Sequence, residues 1–127
     1  MTSTPELSRD KKRLRELLDQ IERLSFCCAH TDSLIRGTPG EVFRACGKAT
    51  CRCAKDPAQK HGPYLVIQIH HHKKQKQIAV RKENKDDWLR AKNYQKQMKT
   101  LLELKKNCAQ LTTLVETILE RRIEEWP

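Results

Sequence analysis

Apolar residues recur at spacings of three and four in two long stretches of the chain, with a short β-branched stretch between them. In the first, Leu14, Leu17, Leu18, Ile21, Leu24 and Cys28 fall on one stripe, which predicts an amphipathic helix. Thr4, Pro5 and Glu6 supply a cap, a first-turn proline and an early acid, so this helix is expected from about Pro5 to about Ala29. A further helical turn is expected through Leu34 and Ile35, and Gly37-Thr38-Pro39-Gly40 reads as a break. Tyr64 to His70 reads as a strand, His71 to Lys74 as a turn, and Gln75 to Arg81 as the return strand with Ile78 and Val80 on one face. A two-stranded hairpin is marginal alone and needs a helix or a metal site beneath it.

The last stretch opens at Asn84 or Asp86 as cap. Trp88, Ala91, Tyr94, Met98, Leu101, Leu102, Cys108, Leu111, Val115, Ile118, Leu119 and Ile123 then keep the helical spacing without Gly or Pro. At ~1.5 Å per residue this is a helix of roughly 55 Å, with a break near Asn107 as the alternative. So long a stripe cannot be buried by a hairpin, and its natural cover is the N-terminal helix lying antiparallel, with a second copy of the chain as further cover. The expected fold class is α+β and mostly helical: two long antiparallel helical arms flank a Cys-rich turn and a two-stranded β-hairpin. The chain reads as a single domain over 1–127, with an N-terminal arm at 5–35, the Cys/His turn and hairpin at 41–83, and the long helix at 84–126.

With 127 residues, 33% of them charged, the chain can build one modest core and is too short for a barrel or two-domain enzyme. It contains no run of 18 apolar residues, so no membrane span is expected. The start lacks the basic and apolar segments of a signal peptide, which points to a reducing cytoplasm. There the six cysteines suggest metal ligands or buried thiols rather than disulfides.

Cys46, Cys51, Cys53 and His61 form the spacing C-x4-C-x-C-x7-H. Three thiolates and an imidazole make a sufficient tetrahedral zinc set. Gly47 relieves the turn, and Lys48 and Arg52 are expected to lower the thiol pKa values. The alternative is a turn of reduced cysteines packed by Pro57 and Pro63. A catalytic Cys–His pair finds no group to orient His61. Cys27, Cys28 and Cys108 lie on predicted helices and are expected as core thiols.

The charge is uneven. Residues 36–106 carry eighteen basic and six acidic side chains, while both ends are neutral or slightly acidic. A local excess of cations attracts polyanions, nucleic acid above all. Lys73, Lys74, Lys76, Arg81, Lys82 and Lys85 surround the hairpin, and Arg44, Lys48, Arg52, Lys55 and Lys60 surround the cysteine turn. If turn and hairpin pack together, these residues form one surface for phosphates. Lys92, Lys96 and Lys99 extend a basic stripe along the long helix, or simply solvate it. Tyr64 and Trp88 are expected to anchor the core in preference to stacking on bases. His70 and His72, at i and i+2 on a strand, would share a face for a metal, and Tyr94 would then serve a tyrosine nuclease; the plainer reading is an exposed hairpin tip.

Cys46-Gly-Lys-x-x-Cys51-Arg-Cys53 and His61-Gly-Pro-Tyr64, followed by a hairpin and a long charged helix, resemble a family of short uncharacterised prokaryotic proteins. Its members are often encoded near transposases or other mobile-element genes. The resemblance covers about residues 33–105. It implies a mobile-element or phage-defence setting, with Cys46, Cys51, Cys53 and His61 as signature. The chain departs from the family in carrying Leu65-Val66-Ile67 where members have aromatic residues, and His and Lys in the hairpin turn. The expected function is therefore a non-enzymatic nucleic-acid-binding accessory protein assisting a transposase, recombinase or nuclease. The alternative is an adaptor that meets a larger protein, or a second copy, through its helical arms.

Overall fold

A computed structural model of the chain describes residues 5–124 and 126, with the backbone alone at His71. Thr4, the expected cap, lies outside the described residues. The fold is α+β, and the elements run α1 (Pro5–Ala29), β1 (Thr38–Arg44), β2 (His61–His71), β3 (Lys74–Val80) and α2 (Lys85–Glu120), with short 3-10 turns at Arg52–Ala54, Pro57–Gln59 and Lys82–Asn84. They divide into two compact units, residues 1–31 with 97–127, and residues 32–96; α2 contributes to both.

In the first unit α1 and the later part of α2 are antiparallel. Arg121 bonds Asp10 at 2.6 Å and Glu6 at 3.0 Å, Arg13 donates to Gln110, and Gln20 donates to Glu103, so rising numbers on α1 meet falling numbers on α2. Leu7, Asp10, Leu14, Leu17, Ile21, Leu24 and Cys28 of α1 are covered and alternate three and four apart, with Gln20 half-buried beside them. On the later part of α2, Gln97, Thr100, Leu104, Asn107, Leu111, Leu114 and Ile118 are covered with the same alternation, and Leu101 and Thr117 are half-buried beside them. This is a two-helix seam of heptad type.

The seam corrects the stripe expected on α2. Met98, Leu102, Val115 and Leu119 are exposed, because the apolar spacing contains two neighbouring rows and α1 covers only one; Ile123, expected on the same helix, is exposed beyond its end at Glu120. Asn107 occupies a covered position and is 6% exposed. Its Nδ2 donates to the Glu103 carbonyl at 3.0 Å, which satisfies the amide within the helix, and α2 runs on unbroken. Cys27 and Cys108 are exposed and Cys28 half-buried, so these are not core thiols; the first two fall just off the seam.

In the second unit the hairpin gains a third strand, giving an antiparallel sheet of order β1-β2-β3. The segment read as a break enters β1, with Pro39 opposite Ile67 and Gly40 opposite Val66. An edge strand has amides that need no partner, so it tolerates Pro and Gly where a central strand would not. Leu34 and Ile35 form no helical turn; they belong to an irregular strap whose Ile35 N–H donates to the Arg90 carbonyl at 3.4 Å.

Leu65, Ile67 and Ile69 share one face of β2 by alternation, with Val80 opposite Leu65. That face packs on Trp88 and Ala91 of α2, with Ile35 at its margin. Trp88 is 7% exposed, and its indole Nε1 donates to the Gly40 carbonyl at 3.1 Å, tying α2 to the edge strand. Tyr64, expected in the core beside it, is 48% exposed. Lys92 Nζ lies 4.7 Å from the Trp88 ring centroid, on its outer side.

The β2–β3 turn consists of His72 at φ 48° and Lys73 at φ 64°, flanked by the pair His71–Lys74. Two positive φ values in a two-residue loop define a type I′ turn, which matches the strand twist and favours Asn-Gly. His72 has therefore left the strand, so the alternation that would align it with His70 does not apply. A side chain in the left-handed region costs about 1–2 kcal/mol. Lys73→Gly is expected to raise stability by about 1 kcal/mol, read as a higher urea midpoint at unchanged m-value.

Candidate metal centre

The end of the sheet creates the site. Opposite Val42 stands Tyr64, but opposite Arg44 stands His61, so β2 holds one residue more than β1 between these pairs. Such a bulge shifts the alternation. It sets His61 on the face of Arg44 and Tyr64, away from the face of Leu65. Gly62 permits it: φ is +148°, and a Cβ there would lie 2.8 Å from the Val42 carbonyl oxygen. The glycine of the His-Gly-Pro-Tyr motif thus answers to a close backbone approach.

The cysteines lie in the loop that leaves β1 after Arg44 and returns at His61. Gly47, at φ +82°, starts its first turn, and the Cys51 N–H donates to the Lys48 carbonyl at 3.1 Å. Cys51 then caps the 3-10 turn Arg52–Ala54. Asp56 closes the second turn by accepting from the Ala58 N–H at 3.0 Å. Pro57 begins that second turn and is exposed.

Through these turns Cys46, Cys51, Cys53 and His61 converge, with their ligand atoms all within 4.8 Å of one another. Cys46 Sγ lies 3.5 Å from Cys53 Sγ, and Cys51 Sγ lies 3.2 Å from His61 Nε2. A tetrahedral ion with bonds of ~2.3 Å to sulfur and ~2.0 Å to nitrogen asks for edges of roughly 3.5–3.8 Å. The group can therefore hold a metal ion after shifts of about an ångström or less.

The thiols are not equivalent. Cys51 is lowered from 9.0 to about 6, first by the backbone N–H of Cys53, then by hydrogen bonds to the His61 ring and the neighbouring sulfurs. The cause differs from the one expected: hydrogen bonds act, not Lys48 and Arg52. At Cys53 the Cys46 N–H, at 3.3 Å, pulls the thiol down. Burial and the Cys51 and Cys46 sulfurs outweigh it and push Cys53 up overall.

All the cations read as phosphate contacts are exposed. Lys48, Arg52, Lys55 and Lys60 ride on the cysteine loop. Arg44, Arg81, Lys82 and Lys85 are brought together around a cleft of about 940 Å3 at the same end of the sheet. Lys73, Lys74 and Lys76 sit at the far end of the hairpin, about 20 Å away along β3 at ~3.4 Å per residue. The cleft itself was not legible in the sequence, since its parts lie in four separate segments.

A lowered thiol pKa means that Cys51 is already thiolate at neutral pH and is reprotonated as the pH falls through about 6. In chelator-treated, reduced protein at pH 7, iodoacetamide should therefore label Cys51 well before Cys53. Peptide mapping by mass spectrometry reads the order, and lowering the pH to about 5 should slow Cys51 labelling several-fold.

No curated protein and no solved structure matches the chain. Residues 7–91, which span α1, the cysteine loop, the sheet and the start of α2, match a protein family described as Domain of unknown function (DUF6788). Two-thirds of the chain thus falls within one uncharacterised family, and the protein belongs to DUF6788.

Proposed function

We propose that this protein is a non-enzymatic nucleic-acid-binding accessory protein, with zinc held by Cys46, Cys51, Cys53 and His61 as a structural staple. One observation carries the reading. The exposed cations of residues 44–85 form no ion pair with any described carboxylate, while the ion pairs that do form use Arg13, Arg90 and Arg121. Unneutralised cations gathered on a small unit attract phosphates and release their counterions.

Zinc is the metal that suits this donor set. Soft thiolates select against magnesium and calcium, and four protein ligands leave no open position for a substrate. The resemblance to short proteins encoded near transposases supports a mobile-element or phage-defence setting, in which the protein assists a transposase, recombinase or nuclease. The exposed row of Leu102, Val115 and Leu119 supports a second contact, to a larger protein partner or a second copy through the helical arms. Among the described residues no helix is long and apolar enough to cross a membrane.

Protein purified under reducing conditions should carry about one zinc per chain by elemental analysis, and Cys53→Ser should carry none. Chelation should lower the melting temperature; an unchanged melt in metal-free protein would count against the staple. Affinity for a random duplex or single strand should fall roughly 100-fold from about 50 to about 200 mM salt if four cations each meet a phosphate. Charge reversal of Arg81, Lys82 and Lys85 to Glu should weaken binding and flatten that slope, and binding indifferent to both salt and reversal sinks the reading.

A further inference from the structure

We propose that the cleft at the cysteine end of the sheet takes an unstacked nucleotide of a single-stranded nucleic acid, its base against the apolar lining and its phosphates on the basic rim. This rests on the nucleic-acid reading above and specifies the form of polyanion. The cleft offers about 940 Å3, within the roughly 300–1,000 Å3 of sites that enclose small organic groups. Val66 and its partner Ala79, on the face of β2 that carries Tyr64, supply apolar lining, and Tyr64 stands in the wall. Tyr64 remains 48% exposed, so its ring is available to a planar partner.

Around the cleft stand Arg44, Arg81, Lys82 and Lys85 against Glu41 and Glu83. None of these six forms an ion pair with a described residue. The balance is positive and suits a phosphodiester chain.

Shape decides which nucleic acid fits. A duplex keeps its bases stacked within and offers this cleft only its phosphates. A single strand can swing a base out onto an aromatic wall while its backbone follows the cations. An acidic peptide would satisfy the rim but leave Tyr64 without a planar partner. The cleft also adjoins the metal centre through both strands, since Arg44-Ala45 leads into Cys46 and Pro63-Tyr64 follows His61-Gly62. The Cys/His group thus adjoins the cleft along the chain without lining it.

Fluorescence anisotropy of the full chain with a labelled oligothymidine, and with a duplex of equal length, tests the proposal. The single strand should bind about tenfold more tightly than the duplex. Tyr64→Ala should lower single-strand affinity about tenfold, and Tyr64→Phe should restore it, because stacking needs the ring and not the hydroxyl. Half of the Tyr64 side chain already faces water, so the variants should melt like the parent. Equal affinity of the parent for both forms, or a normally folded Tyr64→Ala that keeps the preference, overturns the cleft assignment while leaving phosphate binding intact. Displacement of the strand by an acidic peptide as readily as by unlabelled oligothymidine also overturns it. Failure of both nucleic acids to bind overturns the cleft and the broader reading together.

Discussion

Ligand atoms from Cys46 and His61 can meet because β1 and β2 are antiparallel neighbours whose last pair is Arg44 with His61. That single pairing sets both mouths of the cysteine loop side by side. The extra residue at Gly62–Pro63 then aims His61 to the face where the thiols gather. The cleft depends on the same pairing, since Arg44 and Tyr64 enter its wall from the two strands. Remove the register, and the cysteines have no imidazole and the cations no common rim.

The register is in turn held by packing at the other face of the sheet. Ile67 at the centre of β2 presses on Trp88 and Ala91, and the Trp88 indole reaches across to the Gly40 carbonyl of the edge strand. A core this small leaves little redundancy. A metal held by the four soft ligands at the sheet's open end would add what apolar burial alone supplies only thinly.

Much of this was legible in the residues. The bounds of α1 follow from Pro5 and the three-four spacing, and the centre of β2 from its β-branched run, although the strand begins three residues earlier, at His61. The ligand group followed from donor chemistry and its short spacing. What spacing could not reveal depended on neighbours distant in sequence. β1 was hidden because Gly37, Pro39 and Gly40 signal a turn locally, and only its place at a sheet edge makes those residues acceptable. Spacing alone does not pick the covered row of α2, because two apolar rows run side by side and the choice between them belongs to α1. Tyr64 was read as core because aromatic residues usually are, yet β2 presents it to the face opposite Ile67. The reduced pKa of Cys51 came from hydrogen bonds that exist only once the loop is folded.

The loop from Ala45 to Lys60 departs from and rejoins the same rung of one ladder, Arg44 with His61, so its ends are held together. Closure entropy then grows only by about 0.6 kcal/mol for each doubling of loop length. The knuckle is an insert between two paired strand ends. Within such a scaffold the segments outside the ligand turns can vary in length at little entropic cost, whereas the two short turns between Cys53 and His61 fix the ligands.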